Sequence, residues 1–167
     1  MPAGKTYEVI SSTTLSSDTA FIQFATIPAT YTDLKISFIG GQNSNNDAIT
    51  FRFNGDTAGN YTSSYLIGTG AGSSGNCSNN TTSIANYGDL GGTALEAFID
   101  ININSYAETN RHKSVMSYFA SVQRGRSSLL MGLWRDNSAI HTIKIDMQGT
   151  DLLKSGTMAT LYGITAA

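Results

Sequence analysis

Four stretches of this chain alternate apolar and polar residues without a break. They are Leu34-Lys35-Ile36-Ser37-Phe38, Ile49-Thr50-Phe51-Arg52-Phe53-Asn54, Ile99-Asp100-Ile101-Asn102-Ile103 and Ile143-Lys144-Ile145-Asp146-Met147. Successive side chains of a strand point to opposite faces, so each stretch reads as a strand with one buried and one wet face. The alternation predicts that Leu34, Ile36, Phe38, Phe51, Phe53, Ile99, Ile101, Ile143 and Ile145 line a core. No segment sustains an i, i+3, i+4, i+7 stripe, and Asn86 to Ala97 has room for one helical turn at most.

Weaker strand signals fill the gaps: Thr6 to Leu15, Ala20 to Ile27, Tyr61 to Gly68, Ser114 to Gln123, Leu129 to Arg135 and Thr157 to Ile164. Within Ser114 to Gln123, Met116, Tyr118, Ala120 and Val122 share one face. Turn residues separate the runs. Asn54-Gly55-Asp56 holds the Asn-Gly pair that suits a tight hairpin. Arg124-Gly125-Arg126 reads as a hairpin tip and Asp136-Asn137-Ser138 as another turn, while Pro28 ends a strand because it cannot donate to a ladder. The stretch 68–92, rich in Gly, Ser, Asn and Thr and poor in large apolar residues, reads as a long loop. Eight to ten short antiparallel strands in residues 1–167 predict one all-β domain, a β-sandwich. A jelly roll of two four-stranded sheets fits the count, with an immunoglobulin-like sandwich as the alternative.

The polar residues are unusual in kind. Charged side chains make up only 13%, against a norm of about 25%. Ser, Thr, Asn and Gly supply 70 of the 167 residues. These favour turns and pleated surfaces over helices. A net charge of −2 gives no basic footprint, so nucleic acid is not an expected partner. Arg111, Lys113, Arg124 and Arg126 come nearest to a cluster and read as two solvated strand ends. Cys77 is the sole cysteine, which excludes an internal disulfide and any multi-cysteine metal site. No apolar h-region follows Met1 to Lys5 and no apolar run approaches 18 residues, so neither a secretory signal nor a membrane span is expected.

Nucleophilic catalysis needs a Ser, Thr or Cys beside a base that a third group orients. His112 lies in a polar stretch and His141 shares the inward parity of Ile143 and Ile145, but no G-x-S-x-G or similar motif accompanies either. A glycosidase pair would have to come from Glu8, Glu96 and Glu108, or from Asp100 and Asp146 on outward strand faces. Asn43 to Asp47 is rich in oxygen donors without the pattern of a calcium loop, and Gly68 to Gly72 has glycines without the lysine of a phosphate loop. No catalytic, cofactor-binding or metal-binding residue is assigned, and the chain is expected not to be an enzyme. Trp134 and the tyrosines read chiefly as core or subunit-interface residues, with a sugar-stacking platform as the alternative.

An ordered set of motifs carries a resemblance. The opening has Thr6-Tyr7-Glu8-Val9-Ile10-Ser11-Ser12 and Ile27-Pro28-Ala29-Thr30-Tyr31-Thr32-Asp33-Leu34. Gly132-Leu133-Trp134-Arg135 and Ser138-Ala139-Ile140 follow, and the chain closes on Gly156-Thr157-Met158-Ala159-Thr160-Leu161-Tyr162-Gly163-Ile164. This resembles small virion structural proteins of tailed bacteriophages, marine and cyanobacterial ones included. The resemblance implies a virion location and a capsid decoration, or cement, role with the major capsid protein or other virion proteins as partners. A tail or fibre module recognising host glycans is the alternative. Low charge and few blunted strand edges lead to the expectation of a homo-oligomer, a trimer, with the 68–92 loop reaching the partner.

Overall fold

The computed structural model describes residues 6–44, 47–87, 90 and 94–165. Among the described residues there are twelve strands and no helix. In chain order they are β1 (Tyr7–Thr14), β2 (Phe21–Phe24), β3 (Asp33–Gly40), β4 (Ile49–Phe53), β5 (Tyr61–Thr69), β6 (Gly72–Thr81), β7 (Ile84–Asn86), β8 (Ala97–Asn104), β9 (Lys113–Ser121), β10 (Arg126–Trp134), β11 (Ile143–Met147) and β12 (Met158–Ile164). Every pairing is antiparallel. One sheet has the order β1-β12-β3-β8-β9-β10-β5-β6 and the other β2-β11-β4-β7.

Removing the hairpins β5–β6 and β9–β10 leaves eight strands in two sheets of four. Their pairs join first with last, β1 with β12, then β2 with β11, β3 with β8 and β4 with β7. This is a long antiparallel ribbon rolled into a sandwich, the jelly-roll arrangement. The expected four-plus-four division therefore holds for the rolled ribbon only. The two extra hairpins widen one sheet to eight strands, because β9 adds to β8 and β5 adds to β10.

The alternating runs put the core where their parity requires. All nine residues expected inside are at most 1% exposed. Leu34, Ile36 and Phe38 of β3 and Ile99 and Ile101 of β8 belong to the same buried cluster as Phe51 and Phe53 of β4 and Ile143 and Ile145 of β11. At about 25 cal/mol per Å² of apolar surface, burial of side chains this size contributes roughly 1.5–3 kcal/mol each. The largest fully buried side chain is Trp134, at the end of β10, which packs against Phe53 and Tyr61. Burial pushes the Tyr61 hydroxyl up to about 12. It stays protonated and bonds the backbone of Phe53 and Asp56.

Three local expectations are corrected. Asn54 and Gly55 both have positive φ, 53° and 70°, and Asp56 N–H donates to Phe53 O at 2.9 Å, as a tight turn requires. This turn closes no hairpin, because β4 and β5 lie in different sheets; it is the corner where the ribbon crosses. The 68–92 stretch is largely strand: the end of β5, all of β6, and β7. Ladder hydrogen bonds need no apolar side chains, and β6 shows no alternation because neither of its faces is covered. Gly88, Asp89 and residues 91–93 of that stretch lie outside the described residues. His141, expected to follow the parity of Ile143, is exposed, because β11 begins only at Ile143.

Gly163 on β12 shows how closely one loop seals the sandwich. A methyl group there would fall within 2.5 Å of the Tyr31 ring. Gly163→Ala is expected to cost about 1–3 kcal/mol through displacement of that ring. Gly70→Ala, which meets open space, should stay within about 0.5 kcal/mol of wild type. Denaturant midpoints of the two variants measure the difference.

Candidate functional site

The candidate chemical groups do not converge. His112 and His141 are both exposed, one before β9 and one before β11; His141 Nδ1 lies 3.1 Å from its neighbour Thr142. Asp100 and Asp146 sit on opposite outer faces of the sandwich, since each has parity opposite to the buried residues of its own sheet. Two sheets at a spacing of about 10 Å separate them, so they form no acid pair. Asp100 pairs with Lys35 at 2.9 Å. Asp146 is nearly buried and takes Arg52 at 2.6 Å, Lys144 at 2.9 Å and the Thr50 hydroxyl, which makes it a cross-strand clasp between β4 and β11. Glu8, Glu96 and Glu108 are exposed on separate segments.

Other oxygen-rich stretches serve the backbone. Asn43 Oδ1 accepts from Leu152 N–H at 2.8 Å and Asp47 Oδ2 from Asp151 N–H at 3.1 Å. Asn45 and Asn46 lie outside the described residues. Among the described residues no group of three or more His, Cys, Asp or Glu could hold a metal ion. Arg111 and Lys113 stand at one end of β9 and Arg124 and Arg126 at the other, about 30 Å away at 3.4 Å per residue. They form no common patch, and Lys113 is itself fully buried.

The aromatic residues divide in two. Trp134, Tyr61 and Tyr106 are core, which removes Trp134 from any sugar platform. Tyr7 and Tyr118 are exposed on the outer face of the eight-stranded sheet, and Tyr162 is half-buried there. That face is the most distinctive surface of the molecule. Register aligns its side chains in rows. One row runs Tyr118, Leu129, Leu66 across β9, β10 and β5; the next runs Met116 and Met131; a third runs Met158, Ile39 and Phe98 across β12, β3 and β8. Leu66 is 65% exposed, Met131 59% and Tyr118 50%. Beside them is a recess of about 340 Å³ lined by Tyr7, Lys35, Ser37, Phe98, Asp100 and Tyr162. Large apolar side chains grouped on one exposed face mark an interaction site more often than singly scattered ones do.

The sequence hinted at this face through Met116, Tyr118 and Ala120, which share one side of β9; Val122, expected with them, falls in the turn just after the strand. Only the structure shows that side to be the outer one, with Val115, Ser117 and Phe119 turned inward. Beneath it, Asn86 Oδ1 accepts from Ser128 Oγ at 3.0 Å and Asn86 Nδ2 reaches Ser117 Oγ at 3.4 Å, which ties β7 to the extra hairpin.

No protein-family model matches the chain. No curated protein matches it either. Among the described residues no helix is long and apolar enough to cross a membrane.

Proposed function

We propose that this chain is a non-enzymatic structural protein of a bacteriophage virion: a decoration protein that docks on the assembled shell, with the major capsid protein as partner. The observation that carries this reading is the outer face of the eight-stranded sheet. Eight strands at a spacing of about 4.8 Å and eight residues at about 3.4 Å give a footprint on the order of 1,000 Å². A stable interface needs roughly 800 Å² per partner. The face mixes exposed Leu, Met, Tyr and Phe with Ser, Thr and Asn, and its charges Lys35 and Asp100 neutralise each other. Such a surface supports binding by apolar contact with a hydrogen-bonding rim. A subunit that binds only the assembled shell stabilises that shell by mass action. The sequence resemblance to phage virion proteins supports the same reading.

The test is direct. The chain should be abundant in purified particles and should rebind shells stripped of it. Leu66→Lys combined with Met131→Lys should lower shell occupancy at least tenfold while the melting temperature stays unchanged, because both positions are on the surface. Absence of the chain from particles, or undiminished binding by the double variant, would sink the proposal.

A second reading, a tail or fibre module for host glycans, draws on the recess between Tyr7, Phe98 and Tyr162. Aromatic rings beside the Lys35–Asp100 pair and Ser37 offer both stacking and hydrogen-bonding partners. Loss of glycan binding in Tyr162→Ala, with shell binding intact, would favour it.

A further inference from the structure

Each sheet has two edges, and among the described residues the four edge strands differ sharply. β2 has four residues and β7 has three, too short to template pairing. β1 has eight, but its register breaks between Val9 and Ser11 and it carries Glu8. β6 has ten residues, Gly72–Thr81, with no charged residue and no proline. Its only bulge is near its end, where Asn80 takes a positive φ of 56° and Arg135 Nη2 donates to its side chain at 2.6 Å. Gly72 to Asn79 is therefore a regular, unguarded edge, exposed on both faces apart from a half-buried Ser78.

We infer that β6 is a homotypic pairing edge: it adds antiparallel to β6 of a second copy of this chain across a two-fold axis, joining two eight-stranded sheets into one. The occupant follows from the edges themselves. Among the four edge strands, only β6 offers a regular stretch of eight residues, so the edge that matches it is its own copy. Antiparallel pairing of a strand with itself is isologous, so each backbone group meets its complement. The Gly, Ser, Asn and Cys side chains bring no like charges together across the axis.

The register also follows. Cys77 N–H bonds the side-chain oxygen of Asn76 at 2.8 Å, so it points away from β5. Antiparallel ladders alternate, so Ser73, Gly75, Cys77 and Asn79 present their backbone groups outward. Two-fold pairing that uses all four places Asn76 opposite Asn76, Gly75 opposite Cys77 and Ser73 opposite Asn79. That arrangement forms about eight main-chain hydrogen bonds, within the 10 ± 5 of a typical interface. Asn76 then releases Cys77 N–H to the partner strand. Asn76 and its copy form a non-hydrogen-bonded pair with Cα atoms about 4.5 Å apart, inside the range that a disulfide spans. Cys77 and its copy are diagonal neighbours about 7–8 Å apart, outside that range.

The purified chain, free of particles, tests this apart from the virion reading. Light scattering should give twice the 17.7 kDa chain mass. Asn76→Cys in a Cys77→Ser background should form a covalent dimer on mild oxidation, at least fivefold more than wild type with Cys77 alone or Thr14→Cys/Cys77→Ser on the β1 edge. Asn76→Lys, which sets two ammonium groups opposite each other, should yield a folded monomer whose melting temperature, unlike that of the wild-type dimer, does not change with protein concentration. A monomeric or trimeric wild type, equal cross-linking in all three cysteine proteins, or a dimer that Asn76→Lys leaves intact would each overturn the inference.

Discussion

Trp134→Ala should destabilise the chain by about 3–5 kcal/mol, the usual cost of truncating a large buried aromatic, and lower its melting temperature by roughly 10 °C. Trp134 is 1% exposed. Its ring centroid lies 5.6 Å from that of Phe53 and 6.4 Å from that of Tyr61. Its Nε1–H donates to Asp56 Oδ2 at 2.7 Å. Truncation therefore empties a core site and strips a donor from a carboxylate at once. Trp134→Phe keeps most of the packing but loses that donor and part of the ring volume, so it should cost less, about 1–3 kcal/mol. Equal losses in the two variants would show that the hydrogen bond to Asp56, and not ring packing, carries the effect. Asp56 also gives the pair a pH signature. Burial alone would raise its pKa, but hydrogen bonds from Trp134, Asn60 and the Ala58 N–H outweigh burial and hold it below the ordinary 3.8. Its stabilisation is complete above about pH 4 and is lost as pH falls through the depressed folded value. Asp56→Asn should flatten that part of the acid limb when denaturant midpoints are followed from pH 7 to pH 2.

Lys113→Met is the second large effect. Lys113 is 0% exposed, and its ammonium donates to three main-chain carbonyls: Glu108 at 2.5 Å, Arg111 at 2.7 Å and Asn137 at 3.2 Å. It ties the turn before β9 to the turn after β10. Each stranded buried acceptor costs about 1–3 kcal/mol, less where water can reach it, so a total of about 3 kcal/mol is expected. Burial holds the Lys113 pKa below the ordinary 10.5, with Asp136 and Glu108 pulling partly the other way. Between the lowered value and 10.5 the unfolded chain binds more protons than the folded one, so this group's contribution to stability rises with pH there. Tyr61, whose folded pKa is raised to about 12, acts in the opposite sense above about pH 10. The stability difference between wild type and Lys113→Met, followed from pH 7 to 10.5, isolates the lysine. A difference that does not grow with pH would refute the assignment.

The strands were legible where one face is buried and one is wet. Leu34 to Phe38 and Ile99 to Ile103 alternate because the sandwich interior lies on one side of each. β6 was illegible for the opposite reason: both faces are solvated, so Gly72 to Thr81 has the composition of a loop and is held to β5 by ladder hydrogen bonds, with the Thr69 and Thr81 hydroxyls adding one bond at each end. Lys113 was illegible because a charged residue reads as solvated until the carbonyls around its ammonium are seen. The outer apolar face was half-visible, since shared parity in Ser114 to Gln123 shows which residues sit together but not which way they point. β9 carries apolar residues on both sides, and only its neighbours decide which side is inner.

The sequence by itself determined the all-β class, the core residues of four strands and most strand positions, because side-chain periodicity is a local consequence of backbone geometry. It also determined the near-neutral polar surface. The tertiary structure alone decided which strands are neighbours. It brought β5 to β10 across more than 50 residues of chain, placed Asp100 and Asp146 on opposite sides of the sandwich, and gathered Leu66, Tyr118, Leu129 and Met131 from three strands onto one exposed face. It left β6 as the long open edge. Pairing and register are non-local: they depend on which ladder closes beside which, and no window of sequence contains both partners.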